Sequence, residues 1–427
     1  MSRRAIACIV ALGLLVSCGA EQTTFKSAPQ SAVVATAPPA PSDESASFGF
    51  ATPESVGMDS RKLSEVTAWV EKEQKPIFSV LISRAGKLVY ELYSSHITRE
   101  QAHYVMSVTK SVTSALVGIA IDQKLVVGDD VAIADALPAA LFPSESDRAR
   151  FKAVTLHQVL GMSALDAQVP PHEKTDASRA RQKAFLASDN RARFALGQAL
   201  LPEPGTSFQY TDITPYVAGA TVTYSAHQTL YDFALANLYG PLGFRNTEWM
   251  HEDAAGNDNA AYGVRLRPID MQKFGVLYLR GGDWNGRRVL SESWVKKSFE
   301  PWIRSKPHFA APNYGNYFWT QHFGGLTTHV ANGWKGQRIA IVPSKNLVVT
   351  MTALLEEDEE PTFKALMEMV VNATSDQPLS ENPQAFERMK AQIQAANAFE
   401  RIPSNAEPRM VPAVAQKERH HPLASSR

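Results

Sequence analysis

Cysteine is nearly absent. The 427 residues hold two, Cys8 and Cys18, both close to the N-terminus. From residue 19 onward no disulfide can form, and a chain with room for a large core needs none even in an oxidising compartment. Charge of one sign is lacking as well, since 43 Lys and Arg balance 43 Asp and Glu. That removes the basic footprint of a nucleic-acid binder. The eleven histidines are scattered, with no His-Glu-x-x-His and no Cys/His cluster, so neither a metal site nor a cofactor is expected. The apolar stretch Ala5 to Val16 is too short to span a bilayer as a finished helix. What remains is 44% hydrophobic, a globular composition for one large or two small domains.

The first residues read as a targeting segment, with Arg3 and Arg4 ahead of the apolar stretch. It ends in Leu15-Val16-Ser17-Cys18-Gly19, which resembles the lipobox of bacterial lipoproteins. The resemblance implies cleavage before Cys18, lipidation of its thiol and attachment to a membrane. With Gly19 rather than aspartate next, it implies an outer-membrane, periplasm-facing location. The plainer reading is a secretory peptide with a chance cysteine. Residues 18–48 form an Ala/Pro/Ser tether that includes Ala37-Pro38-Pro39-Ala40-Pro41. The folded domain is expected over 49–376. Residues 377–427 follow, with one helix from Pro383 to Glu400 and a weakly ordered tail.

Within the domain, the spacing of Leu63, Val66, Trp69 and Val70 predicts a helix over 59–72. Two strands, 78–82 and 88–93, flank a turn at Arg84-Ala85-Gly86-Lys87. Further strands are expected at 317–320, 337–342 and 347–352, with a short extended piece at 125–131. Helices are expected over 225–238, 267–279 and 361–372, and an exposed loop from Pro170 to Arg181. Strands near both ends and helices between them give an α+β fold. One antiparallel sheet, flanked by helices, is built from about 49–100 and 310–376, around an inserted, mostly helical domain.

One stretch carries chemistry. Ser107-Val108-Thr109-Lys110 opens an apolar run in which Val112, Ala115, Leu116 and Ile119 mark a buried helix. Positions i and i+3 share a helix face, so the Lys110 amine can reach the Ser107 hydroxyl and take its proton. The bland alternative makes Ser107 a helix cap. The pattern arises by chance about once or twice in a chain of this length. Ser293-Trp294-Val295-Lys296 also fits it, but in a charged, solvated context.

Taken with the segments around it, the chain resembles the class C β-lactamase-like serine hydrolase superfamily. The residues that carry this are Tyr104 to Asp130, Pro204-Gly205-Thr206-Ser207-Phe208-Gln209-Tyr210-Thr211-Asp212, Tyr239-Gly240-Pro241-Leu242-Gly243-Phe244, Arg265 to Ser291 and Gly333-Trp334-Lys335-Gly336-Gln337. The later segments are most similar to the branch of 6-aminohexanoate-dimer hydrolases. The resemblance covers about 57–372. It implies a β-lactamase or penicillin-binding-protein-like fold, Ser107 as nucleophile and Lys110 and Tyr210 as the groups handling protons. It also implies an oxyanion site from the backbone N–H of Ser107 and of Trp334, beside Gly333.

Two departures stand out. Asp212 occupies the place of a usual asparagine near the substrate, and puts a carboxylate near Lys110, favouring charged lysine where a base should be neutral. Ala331-Asn332-Gly333 replaces a Lys-Thr-Gly motif and removes a cation for substrate carboxylates. The expectation is a lipid-anchored serine hydrolase acting on a small ester or amide, with burial lowering the Lys110 pKa. The rivals are a β-lactamase or D,D-peptidase, and an envelope binding protein that keeps the fold.

Overall fold

The computed structural model describes residues 48–397, apart from 74, 95–96, 252, 306–312 and 357–358. Cys18, the leader, the tether and the tail beyond 397 lie outside the described residues.

Apolar segments from the two ends of the domain meet in one sheet, several of them buried along their whole length. Its strands are β1 (Ile77–Arg84), β2 (Lys87–Tyr93), β3 (Ile303–Arg304), β4 (Asn313–Gly315), β5 (Phe318–Phe323), β6 (Leu326–Gly333), β7 (Gln337–Val342) and β8 (Leu347–Ala353). The order β3-β4-β5-β6-β7-β8-β1-β2 joins C-terminal β8 to N-terminal β1, in register from Ser79↔Thr352 to Arg84↔Leu347. Every neighbouring pair is antiparallel, and the helical block enters between β2 and β3. The expected α+β architecture is what is found.

Helices cover both faces, because successive side chains of a strand point to opposite sides. On the Tyr90 side, Thr67 of α1 (Ser60–Glu73) hydrogen-bonds the Tyr90 hydroxyl at 2.7 Å. On the Ser83 side lies the helix Pro268–Leu279, whose Gln272 amide donates to Ser83 Oγ and the Val348 carbonyl. A Cβ on Gly275 of that helix would meet Val348 and Ile339 at 2.6 and 2.7 Å, so only glycine permits this approach. Eleven of its twelve residues are buried, as its lack of a single apolar stripe implies. Its buried charges are paired: Arg267 donates to Asp270 at 2.7 and 2.8 Å, and Lys273 reaches Asp270 and the Gly243 carbonyl.

Local chemistry shifted several boundaries. The extended piece at 125–131 is turn and loop, because the Asp129 carboxylate is tied to His157 (3.1 Å) and Lys297 (2.6 Å). A capping box between Thr175 and Ser178 starts a helix at Asp176, so the exposed loop ends there rather than at Arg181. The helix expected over 225–238 is two: Pro215–Ala226, stopped by left-handed His227, then Leu230–Ala234 capped by Thr229. The second runs on through Gly240–Leu242 and breaks only at Gly243. The sequence expectation omitted β3, β4 and β6, whose Thr, His and Asn residues mask a buried strand. The C-terminal helix Pro383–Asn397 extends the packed unit past residue 376: Met389 and Ala396 are buried, and Asn397 Oδ1 accepts from the Tyr93 N–H at 3.1 Å.

Candidate active site

The helix that carries the Ser-x-x-Lys pattern is α2 (Val108–Asp122), buried along nearly its whole length. It begins at a strained turn, since Met106 has φ 51 without being glycine. Ser107 takes the position before the helix, yet its side chain makes no capping bond. It is therefore not the plain helix cap of the bland alternative. Its Oγ instead accepts from Lys110 Nζ at 2.9 Å.

Lys110 is 1% exposed and donates to two more acceptors, Asp212 Oδ1 at 2.7 Å and the Ala261 carbonyl at 3.0 Å. The Ala261 carbonyl is presented by a tight turn, in which Asn259 Oδ1 accepts from the N–H groups of Ala261 and Tyr262. Thr109 and Thr113 on α2 hold this turn through the Val264 N–H and the Ala260 carbonyl. Three elements thus converge on one nitrogen.

Tyr210 and Asp212 arrive on a segment moored to its neighbour. The Gln209 N–H donates to the Met162 carbonyl (2.7 Å), the Gly205 N–H to the Ser163 carbonyl, and Thr211 Oγ1 to the Ala167 carbonyl. Mooring fixes the Tyr210 ring 4.9 Å from Lys110 Nζ, with its hydroxyl interacting with both Ser107 and Lys110. Phe208, Tyr314 and Trp319 back the ring with centroids 5.6 to 6.5 Å away.

The electrostatics correct one expectation. Burial does pull the Lys110 ammonium towards neutrality, but Asp212 and Tyr210 outweigh it and its pKa lies above the ordinary lysine value. Burial likewise raises the Asp212 carboxyl, and Lys110 and His172 overcome that to hold it below the usual range. Burial raises the Tyr210 phenol, against the pull of Lys110, and it stays above its ordinary value. The resting site is an ammonium, a carboxylate and a neutral phenol around a serine hydroxyl. The concern raised by Asp212 is thereby realised in the geometry.

The far wall is the end of β6. A Cβ on Gly333 would lie 2.3 Å from the Val105 carbonyl oxygen and 3.2 Å from Met106 Cβ, so any larger residue would push the strand off the turn before Ser107. Trp334 follows in the hairpin turn and is 51% exposed. Where a lysine is usual in the resembled motif, Ala331 is fully buried and uncharged. The nearby Lys335 is turned away onto Glu356 (2.6 Å) and sits over the Trp334 ring at 4.7 Å. Lys296 of the second Ser-x-x-Lys match is 74% exposed and pairs with Glu292 on the helix Glu292–Phe299, remote in kind from Lys110.

The sequence model of the Beta-lactamase family matches residues 65–371, which span most of α1, the Ser107 helix, the Tyr210 segment and the sheet from β1 to β8. The chain belongs to the Beta-lactamase family. No curated protein matches it. Among solved structures it is similar to a 6-aminohexanoate-dimer hydrolase homologue from Bacillus anthracis, at 17% identity and TM-score 0.59, covering 76% of this chain and 86% of that one. A penicillin-binding protein homologue from Caulobacter crescentus gives 15% identity and TM-score 0.59, covering 74% and 98%. EstCE1, a hydrolase with promiscuous acyltransferase activity, gives 16% and 0.57, covering 79% and 99%. Such identities establish the fold.

In this Beta-lactamase family member two neighbours of the site were missed in the sequence. Half-buried His172 meets Tyr210 edge-on at 4.9 Å and acts electrostatically on Asp212. Tyr262, its hydroxyl raised to about 12 chiefly by burial and then by Asp212, flanks the same carboxylate. The only hint of His172 was its place in a Pro-rich loop before the Tyr210 segment.

Proposed function

We propose that this protein is a serine hydrolase of the carboxylesterase or amidase type, which cleaves a small ester or amide through an acyl-enzyme on Ser107. The observation that carries the proposal is the Ser107 Oγ. It leaves the helix uncapped and is held by a buried lysine, with a tyrosine hydroxyl beside it. Attack by Oγ on the carbonyl carbon forms the tetrahedral intermediate, with the N–H groups of Ser107 and Trp334 as the oxyanion donors. Tyr210, a neutral phenol in the resting site, gives its proton to the leaving atom and regains one from the water that resolves the acyl-enzyme. Buried Ala331 argues against a substrate held by its carboxylate, and so against a β-lactam or a peptidoglycan stem.

The test is a fluorophosphonate probe on the purified protein, followed by short p-nitrophenyl esters, a linear aminohexanoate dimer and a chromogenic cephalosporin. Labelling with turnover of the ester or the linear amide is the expected result. Cephalosporin turnover as the dominant activity would favour the β-lactamase alternative, and no labelling at all would favour a binding protein that keeps the fold.

We propose further that Cys18 is acylated and holds the domain at the outer membrane, on the support of Arg3, Arg4, the apolar stretch and Leu15 to Gly19. Among the described residues no helix is long and apolar enough to cross a membrane. Expressed in a bacterium that lipidates exported proteins, the full chain is expected in the detergent phase and Cys18→Ser in the aqueous phase. A detergent-phase Cys18→Ser chain would refute acylation.

A further inference from the structure

We propose that the proton leaving Ser107 comes to rest on Asp212, with Lys110 as the carrier between them. This rests on the serine-hydrolase assignment above and adds the destination of the proton.

The observations are geometric. Lys110 Nζ sits between Ser107 Oγ at 2.9 Å and Asp212 Oδ1 at 2.7 Å, so two short hydrogen bonds through one nitrogen connect hydroxyl and carboxylate. The third partner, the Ala261 carbonyl at 3.0 Å, can only accept. An ammonium with three hydrogens matches the acceptors Ser107 Oγ, Asp212 Oδ1 and the Ala261 carbonyl, and it has no lone pair for Ser107. A carboxylate within hydrogen-bond distance is the one neighbour of Nζ able to relieve it of a proton without the help of solvent. Lys110 itself is sealed from water at 1% exposure, whereas the Asp212 side chain is 23% exposed.

The step balances. One hydrogen passes from Nζ to Asp212 Oδ1, leaving a neutral amine and a carboxylic acid. The amine turns about its Cε–Nζ bond, presents its lone pair to Ser107 and takes the hydroxyl proton as the Oγ–carbon bond forms. The carbonyl π electrons move to the oxyanion. Lys110 ends as an ammonium beside the new negative charge, and Asp212 ends neutral, so the total charge of the site is unchanged. On collapse of the intermediate Tyr210 protonates the leaving atom, and the proton held on Asp212 returns through the same nitrogen to Ser107 Oγ when the acyl group is released to water. Asp212 reaches Ser107 through Lys110 and acts through it.

This makes a distinctive pH profile. The titratable groups that face the pair are Tyr210, His172 on the 167–175 loop, Tyr216 and Tyr262 beside the Ala261 turn. A lysine that had to lose its proton to solvent would speed acylation about tenfold for each pH unit below its pKa. A pair that passes the proton internally holds the same number of protons throughout that range, and its rate is flat.

The experiment measures the fluorophosphonate labelling rate of the purified full chain from about pH 7.5 to about pH 9.5, above the ordinary imidazole range and so clear of His172. The wild-type rate is expected to change by less than about twofold across that window, and Asp212→Asn to be about 100-fold slower at its lower end and to rise steeply with pH. Asp212→Glu, which restores a carboxylate, is expected to recover the flat profile at reduced rate. A wild-type profile that itself rises about tenfold per pH unit overturns the proposal, as does an Asp212→Asn protein that labels as fast as wild type at pH 7.5. The wild-type profile decides the matter even if the variants fold poorly. A wild-type chain that never labels overturns the serine-hydrolase assignment instead, so the two failures are distinct.

Discussion

Ser107→Ala is expected to abolish fluorophosphonate labelling and to lower ester turnover by at least ~10³-fold, with the melting temperature nearly unchanged. The loss follows from covalent catalysis. Without Oγ no acyl-enzyme can form, and the residual rate comes only from binding and oxyanion donors that act on a water attack. The small effect on stability follows from the absence of a capping bond. Alanine at this position removes one acceptor from Lys110 but leaves no backbone N–H of α2 unsatisfied. Ser293→Ala serves as the internal control, since its lysine partner is solvated and ion-paired, and it should label like wild type. Labelling that persists in Ser107→Ala would place the nucleophile elsewhere.

How much of this site was legible depends on how far apart its parts lie in the chain. Ser107 and Lys110 share one helix face, so a spacing of three residues with an apolar run behind it was sufficient. The sheet was legible in outline because β1, β7 and β8 carry runs of Val and Ile, and β2 a run of Leu, Val and Tyr, of nearly the observed length. Strand β6 was not, since its alternation is carried by Thr327, Thr328, His329 and Asn332, residues that periodicity scores as polar. The Ala261 carbonyl could not be read at all. A backbone acceptor has no side-chain signature, and it reaches Lys110 only because Asn259 folds its own turn. Asp212 was visible as a substitution in a motif, but whether burial or its charge governed Lys110 was a contest of two opposing effects. Only the 2.7 Å contact decides it.

Lys110→Met separates the structural and chemical roles of that contact. Activity is expected to fall by at least ~10³-fold, because the amine that links Ser107 to the carboxylate is gone. Stability is expected to fall by about 1–3 kcal/mol, below the usual range for breaking a buried pair because Asp212 keeps some contact with solvent. The pH dependence should also reverse. In the wild type the Asp212 pKa is depressed in the folded state, so its contribution is present above the unfolded carboxyl value and lost as the pH falls through the folded one. In Lys110→Met the burial of Asp212 has lost the cation that opposed it, and its folded pKa rises above the unfolded one. The folded variant then binds more protons than the unfolded chain, and its stability declines as the pH rises between those two values. Urea midpoints across the acidic range read the sign directly. The double variant Lys110→Met with Asp212→Asn removes the stranded charge and should regain most of the lost stability, with a coupling of about 0.5–3 kcal/mol. It should regain no activity, because nothing remains to receive the Ser107 proton. A double variant as unstable as Lys110→Met would mean that the methionine packs badly, and that the 2.7 Å pair contributes little to the fold.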